Sequence, residues 1–194
     1  MAKKKPHHHG NLRAALIDAG LELLQAGGLE NLSMRKLAIK AGVSHAAPAH
    51  HFPNKAALHS ALMTAGYKMF TASMRSEVDL AINDPRERIL AAGRGYLTFA
   101  QENKGLFNLM FGGTPRDQDD RELNHASEEA YEVLREICAP IVKGEGGSEA
   151  NELMIWSLIN GLARLVLHSK RESIGAEKSF EIWRLILPPL KFET

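Results

Sequence analysis

The sequence holds a single cysteine, Cys138, so no internal disulfide can form, and a reducing compartment suits it. No apolar run reaches the roughly 18 residues that would suggest a membrane span. Met1 to Gly10 is basic and lacks the apolar stretch of a signal peptide. Alternating β-branched runs are almost absent, which argues against a sheet. Also missing are a Gly-rich phosphate loop, a nucleophile elbow, a zinc-binding helix signature and paired acids at useful spacing. The expectation is therefore a cytoplasmic protein that is not an enzyme, with no catalytic residue, no cofactor and no metal site.

What is present is ordinary for a soluble chain: 194 residues, 44% apolar and 24% charged. That length suits one fair-sized domain, or a small one joined to a larger one. The net charge of +1 hides an asymmetry. Residues 1–58 hold eight Lys/Arg against three acids, a net of +5, while the remainder holds sixteen against twenty, a net of −4. Six of the nine histidines also lie in residues 1–58. A basic N-terminal part on an acidic body points to a polyanion partner for that part alone. Lys3-Lys4-Lys5 reads as a disordered basic arm, and His7-His8-His9 runs directly into the first helical pattern.

Helical periodicity recurs along the whole chain, so the fold class is all-α. Leu12, Leu16, Ala19 and Leu23 form a first stripe, ended by Gly27-Gly28. A short helix capped by Ser33 stops at Gly42. A third, capped by Ser44, ends near Phe52-Pro53. A fourth runs from Asn54 to about Arg75. Asn83-Asp84-Pro85 starts a helix that reaches Glu102, and Lys104–Phe111 is a short one. Further helices are predicted from about Asp117 to Cys138, from a Ser148 cap to about Ser169, and from Ala176 to Leu187. Gly144-Glu145-Gly146-Gly147 separates two of them.

Residues 33–52 hold two short helices joined by a turn containing Gly42, the plan of a helix-turn-helix. Leu37, Val43 and Phe52 can wedge the pair together. The second helix then offers His45, Ala46, Ala47, Ala49 and His50 to a major groove. Small side chains there let the backbone approach the bases, and alanine can touch a thymine methyl. His50-His51 chelates a metal poorly, because adjacent helical positions point about 100° apart.

The stretch LSMRKLAIKAGVSHAAPAHHFPNKAAL, residues 32–58, closely resembles the DNA-binding region of the tetracycline-repressor family, with Leu37-Ala38, Ala41-Gly42-Val43-Ser44, His51-Phe52 and Lys55 in place. The resemblance implies about nine helices, three in a DNA-binding head and the rest in a body that binds ligand and dimerises. It implies that Arg35 reaches a base or phosphate. By the same resemblance His45, Ala46 and Ala47 face bases, with His50 beside them, and His51 and Lys55 hold phosphates. Ala49 departs from the family, which usually has Tyr there, and Pro48 sits within the recognition helix. The segment WSLINGLARL, residues 156–165, resembles the Trp-Ser-x-x-His-Gly-Leu-Ala signature of one branch, with Asn160 in place of His.

The expected division is 1–58 for the arm and head and 59–194 for the body. In the body, Leu153, Trp156, Asn160, Arg164 and Leu167 share one helix face, and Ile155, Ile159, Leu162 and Val166 another. A helix apolar on two sides must bury both, and mid-helix Gly161, which costs roughly 1 kcal/mol, suggests a close neighbour. The homodimer interface is therefore expected at Ile159, Gly161, Leu162 and Val166, joined by Phe180, Trp183 and Leu187 of the last helix. A pocket for a small apolar effector is expected among Phe99, Phe107, Met110, Phe111, Trp156 and Asn160. The reading is a transcriptional regulator acting on an approximately palindromic double-stranded DNA operator. The competing reading is a helical ligand-binding or scaffold protein without DNA activity.

Overall fold

The computed structural model describes residues 12–168 and 174–193, so the Lys3–Lys5 and His7–His9 arm lies outside the described residues. Among them are nine α-helices: α1 (Leu12–Gly27), α2 (Met34–Ala41), α3 (Ala47–His51), α4 (Lys55–Leu80), α5 (Pro85–Glu102), α6 (Lys104–Phe111), α7 (Arg121–Cys138), α8 (Gly147–His168) and α9 (Ala176–Ile186). A single 3-10 turn, Leu29–Asn31, follows α1. No extended strand occurs among the described residues, only two isolated bridges.

Side-chain caps set most of the helix starts. Ser33 accepts from the Lys36 N–H, Asn54 from Ala57, Asp84 from Glu87 and Asp120 from Leu123, at 2.9–3.2 Å. The Asp120 cap explains why α7 begins at Arg121 rather than near Asp117. The Asp117 N–H instead donates to Ser60 Oγ at 2.9 Å, which ties the α6–α7 loop to α4. That loop is also held by His59 Nδ1, 2.9 Å from the Pro115 carbonyl oxygen.

Two boundaries move for other reasons. α3 starts at Ala47, not behind a Ser44 cap. A helix begun at Ser44 would need a Pro48 N–H for its first bond, and proline has none. The chain makes a turn there instead, with the Ala47 N–H 3.1 Å from the Ser44 oxygen. α4 continues past Arg75 to Leu80 because Met74 and Val78 extend its buried stripe.

α4 is the spine. It leaves the head, which is α1 to α3, and packs along α5 and α7 in the body. The crossing with α5 is backbone-close at Gly95, where a Cβ would lie 2.3 Å from the Ser73 oxygen. Ser73 Oγ donates to the Gly95 carbonyl at 2.8 Å across it. α9 closes the body against α5: the Arg94 guanidinium stands 3.8 Å over the Phe180 ring, and Arg86 donates to the Leu187 and Pro188 carbonyls beyond the end of α9.

Candidate DNA-binding face and effector cavity

The helix-turn-helix is built from the residues expected. Gly42 takes the left-handed conformation, φ 69°, that ends α2 and turns the chain. Leu37 and Phe52 are fully buried between the helices and Val43 half-buried. Pro48 is also buried, so one residue of the recognition helix packs inward while its neighbours point out. Arg13 of α1 lies 5.8 Å from the Phe52 ring centroid and steadies that junction.

Arg35, His45, Ala46, His50, His51 and Lys55 are all exposed, and Ala47 is half-buried. Among the described residues neither Arg35 nor Lys55 forms an ion pair, whereas Lys40 is held by Glu22 at 2.5 Å. The two cations are thus available to an external anion. Ala49 is exposed with nothing but a methyl group to offer. No group of three His, Cys, Asp or Glu side chains that could hold a metal occurs among the described residues.

The body encloses a cavity of about 280 Å³ between α4, α5, α7, α8 and α9, touched by the end of α6. One end is wholly apolar, at Met74, Ile89 and Ile137. The other holds Tyr67, Tyr96 and Phe111, with Trp156, 38% exposed, toward solvent. Burial holds the Tyr67 and Tyr96 phenols above their ordinary pKa, so both stay neutral donors. Tyr96 Oη donates to Asn160 Oδ1 at 3.2 Å, and the Trp156 side chain faces the same hydroxyl. On the α7 wall, Tyr131 donates to Glu152 at 2.8 Å, and that bond pushes its phenol up to about 12.

Phe111 and Trp156 belong to this lining, but the other four residues expected in it do not. Phe99, Phe107 and Met110 are 2%, 1% and 6% exposed and fill the core behind it. Phe99 packs on Phe70 with ring centroids 5.2 Å apart, and Phe107 lies 4.8 Å behind Phe111. Met110 faces Gly66, where a Cβ would meet its sulfur at 2.6 Å. Asn160 is outside the lining too, and acts on it through Tyr96. Sequence reasoning misses the tyrosines because they come from three helices far apart in the chain. Ala92 and Gly93 of α5 are small residues of the lining, though the Trp183 indole packs against Gly93.

Most of the residues expected at a dimer face are buried within the protomer. Ile159, Leu162, Val166, Phe180, Trp183 and Leu187 are at most 9% exposed within one protomer, so they pack in its core and offer little surface to a partner. Trp183 lies against Gly93, where a Cβ would come within 2.0 Å of its indole nitrogen. Gly161 alone of that set is open: a Cβ at that position would have nothing within 4 Å. On α8 and α9 the exposed large apolar residues are Leu153, Trp156, Leu165, Leu185 and Ile186, with Leu165 at 73% and Leu185 at 84%. Leu158, Gly161 and Leu165 share one helical stripe of α8, and Ile182, Leu185 and Ile186 one of α9.

A profile described as bacterial regulatory proteins, tetR family, matches residues 16–62, and one described as tetracyclin repressor-like, C-terminal domain, matches residues 89–186. The chain belongs to the tetracycline-repressor family. It is a DNA-binding transcriptional regulator, as that family is. The nucleoid occlusion factor SlmA of Yersinia pseudotuberculosis serotype O:1b is 28% identical over 200 residues, covering 97% of this chain and 99% of that one. A protein of unknown function from Rhodococcus sp. RHA1 superposes with a TM-score of 0.76 at 28% identity, covering 93% and 95% of the two chains. FadR of Bacillus subtilis, solved in complex with stearoyl-CoA, has a TM-score of 0.68 at 15% identity over 89% and 96%, a likeness of fold alone. No described helix is long and apolar enough to cross a membrane.

Proposed function

We propose that this regulator is a cytoplasmic homodimeric repressor, released from its operator when a small, mainly apolar ligand enters the body cavity. The observation that carries the reading is that one continuous helix, α4, joins the head to the cavity wall. Arg35 and Lys55 stand exposed and without acid partners at the head, and α4 runs from Lys55 into the cavity wall at Tyr67, Phe70 and Met74. Arg35, His51 and Lys55 contact phosphates or bases, and His45, Ala46, Ala47 and His50 read the groove. The functional division falls near residue 58, with residues 1–58 on DNA and 59–194 for ligand and partner. The cavity's make-up, mostly apolar with few polar groups, is that of a ligand pocket. The segment WSLINGLARL supports the branch it resembles, with Asn160 serving Tyr96 where that branch has His.

Two equivalent recognition helices require half-sites that mirror each other. A ligand lowers DNA affinity only by binding the released state better; a 100-fold effect needs about 2.7 kcal/mol of coupling. Gel-shift and footprinting on the chain's own upstream DNA, over a range of salt and with an apolar ligand library, test the reading. Protection of a symmetric site that the ligand abolishes supports it. Absence of any salt-dependent DNA binding favours the ligand-binding or scaffold reading instead, for which exposed Ala49 is the specific support.

A further inference from the structure

The cavity gathers most of the chain's aromatic side chains. Seven of the twelve line it, all three tyrosines and both tryptophans among them. The one charged side chain among the described lining residues is an acid, Glu128 of α7; no Lys, Arg or His is among them. About one turn further along α7, the Tyr131 hydroxyl donates to Glu152 of α8 at 2.8 Å. The Tyr131 ring meets that of Trp156 nearly at right angles, with centroids 6.5 Å apart and planes at 79°. Glu152 and Trp156 lie four residues apart on α8, so the two rings form a corner with carboxylates from both helices beside it. That corner is negative. The Arg135 guanidinium is shared by Glu128 and Glu132, and with Glu152 there are three carboxylates to one cation. The same guanidinium stands 5.2 Å from the Tyr131 ring centroid, so the protein already rests a cation against that ring. Arg164 of α8 acts on the Tyr96 phenol from outside the lining, held by the Phe111 carbonyl oxygen. A bound cation therefore belongs at the Tyr131–Trp156 corner and not beside Tyr96.

We infer that the effector is an amphipathic organic cation, its ammonium received at the corner of Tyr131 and Trp156 beside the Glu128 carboxylate and its tail filling the Met74–Ile137 end. This rests on the reading of the cavity as the effector site. The face of an aromatic ring carries the negative part of its quadrupole. A quaternary ammonium has no N–H to satisfy, so it gains from such faces without a hydrogen-bond partner. Trp156 is the better of the two rings for a cation, and at 38% exposed it is open to one arriving from solvent. A carboxylate entering the same corner is repelled by Glu128, Glu132 and Glu152, and an alcohol gains nothing from their charge. Size agrees. An apolar space of roughly 150 Å³ takes benzene, so about 280 Å³ suits a ligand about twice as large. Octyltrimethylammonium has twice the non-hydrogen atoms of benzene.

The test uses the full chain with octyltrimethylammonium, 1-octanol and octanoate at neutral pH and one fixed salt concentration, followed by calorimetry. The cation is expected to bind about tenfold more tightly than the alcohol, the scale of one well-placed cation–π contact, and octanoate more weakly than either. Glu128→Gln should lower the cation's advantage over the alcohol about threefold, and Glu128→Gln/Trp156→Leu should bring it near unity. Both positions are exposed, and melting without ligand checks that each variant's body is intact. Ile159→Trp, which fills the cavity, abolishes binding of all three. Ala130→Leu, a smaller filling from α7, weakens all three and serves if Ile159→Trp does not fold. Equal affinity for cation and alcohol, both blocked by the filling substitutions, overturns the cation inference and leaves the cavity reading standing. Tightest binding by octanoate does the same, as does a cation preference that survives the double substitution. Binding that the filling substitutions do not touch, or no binding by any of the three, overturns the cavity reading and this inference with it.

Discussion

If the proposed homodimer forms on the exposed Leu165 and Leu185 stripes of α8 and α9, Leu185→Glu should convert it to a monomer. Leu185 is 84% exposed in the protomer and Leu165 73%. Burying a leucine fully contributes about 2 kcal/mol, so covering Leu185 contributes about 1.5 kcal/mol. In a two-fold dimer every side chain counts twice, which makes about 3 kcal/mol from this position alone, or a factor of roughly 10² in the dissociation constant. The carboxylate adds a desolvation cost on top, so the measured loss should exceed that factor. The fold should not suffer: a substitution at so exposed a site changes protomer stability by about 0.5 kcal/mol or less. Sedimentation velocity over a concentration series reads the association, and circular dichroism confirms retained helix. Leu80→Glu is the control, since Leu80 is equally exposed at 84% but sits at the end of α4. It should leave association unchanged. A Leu185→Glu protein with the wild-type monomer–dimer equilibrium would refute the placing of the dimer on these stripes.

Lys55→Ala should weaken binding to all DNA sequences alike and reduce the slope of log affinity against log salt by about 0.9 for each phosphate it no longer neutralises, read by fluorescence anisotropy from low to moderate salt. His45 and Ala47 substitutions should instead change which base is preferred, read by binding-site selection. Gly95→Ala should lower stability by roughly 1–3 kcal/mol in thermal melts, because its Cβ would press on the Ser73 carbonyl at 2.3 Å, which is backbone and cannot turn aside. The raised Tyr131 phenol means that the folded state holds its proton more tightly. Its contribution is complete below the ordinary pKa of 10.0 and is lost as pH rises towards about 12. Tyr131→Phe should therefore remove part of the alkaline loss of stability in that window; identical alkaline melting curves for the two proteins would count against it.

The head is readable from sequence because each of its decisions is local. Ser33, Gly42 and Asn54 cap or turn the chain through atoms three to five residues away, and the Leu37–Phe52 wedge lies within one motif. Pro48 is visible too, but its effect on the start of α3 requires counting which carbonyl loses its donor. The body is harder because a helix with two apolar faces does not say which one turns inward. The richer stripe, Ile155, Ile159, Leu162 and Val166, packs within the protomer, and the plainer one is only partly covered, with Leu158 and Gly161 half-buried and Leu165 exposed. The cavity escapes for a related reason. Aromatic density on α6 marks dense core, whereas the space is lined by Tyr67 of α4, Tyr96 of α5 and Tyr131 of α7, residues far apart in the chain.

The buried proline of the recognition helix has a thermodynamic consequence. α3 is five residues long, far below the length at which a helix persists by itself in water. It exists because Pro48 has its φ fixed in advance and because Pro48 and Phe52 are anchored in the head core. The helix is therefore assembled before DNA arrives, and docking carries no large ordering cost. Calorimetry of operator binding should show a heat-capacity change that matches the interface alone, without the excess that accompanies a segment folding on its target. The Phe52 amide, bonded to the Pro48 oxygen at 2.8 Å, should exchange its hydrogen only as the head itself opens.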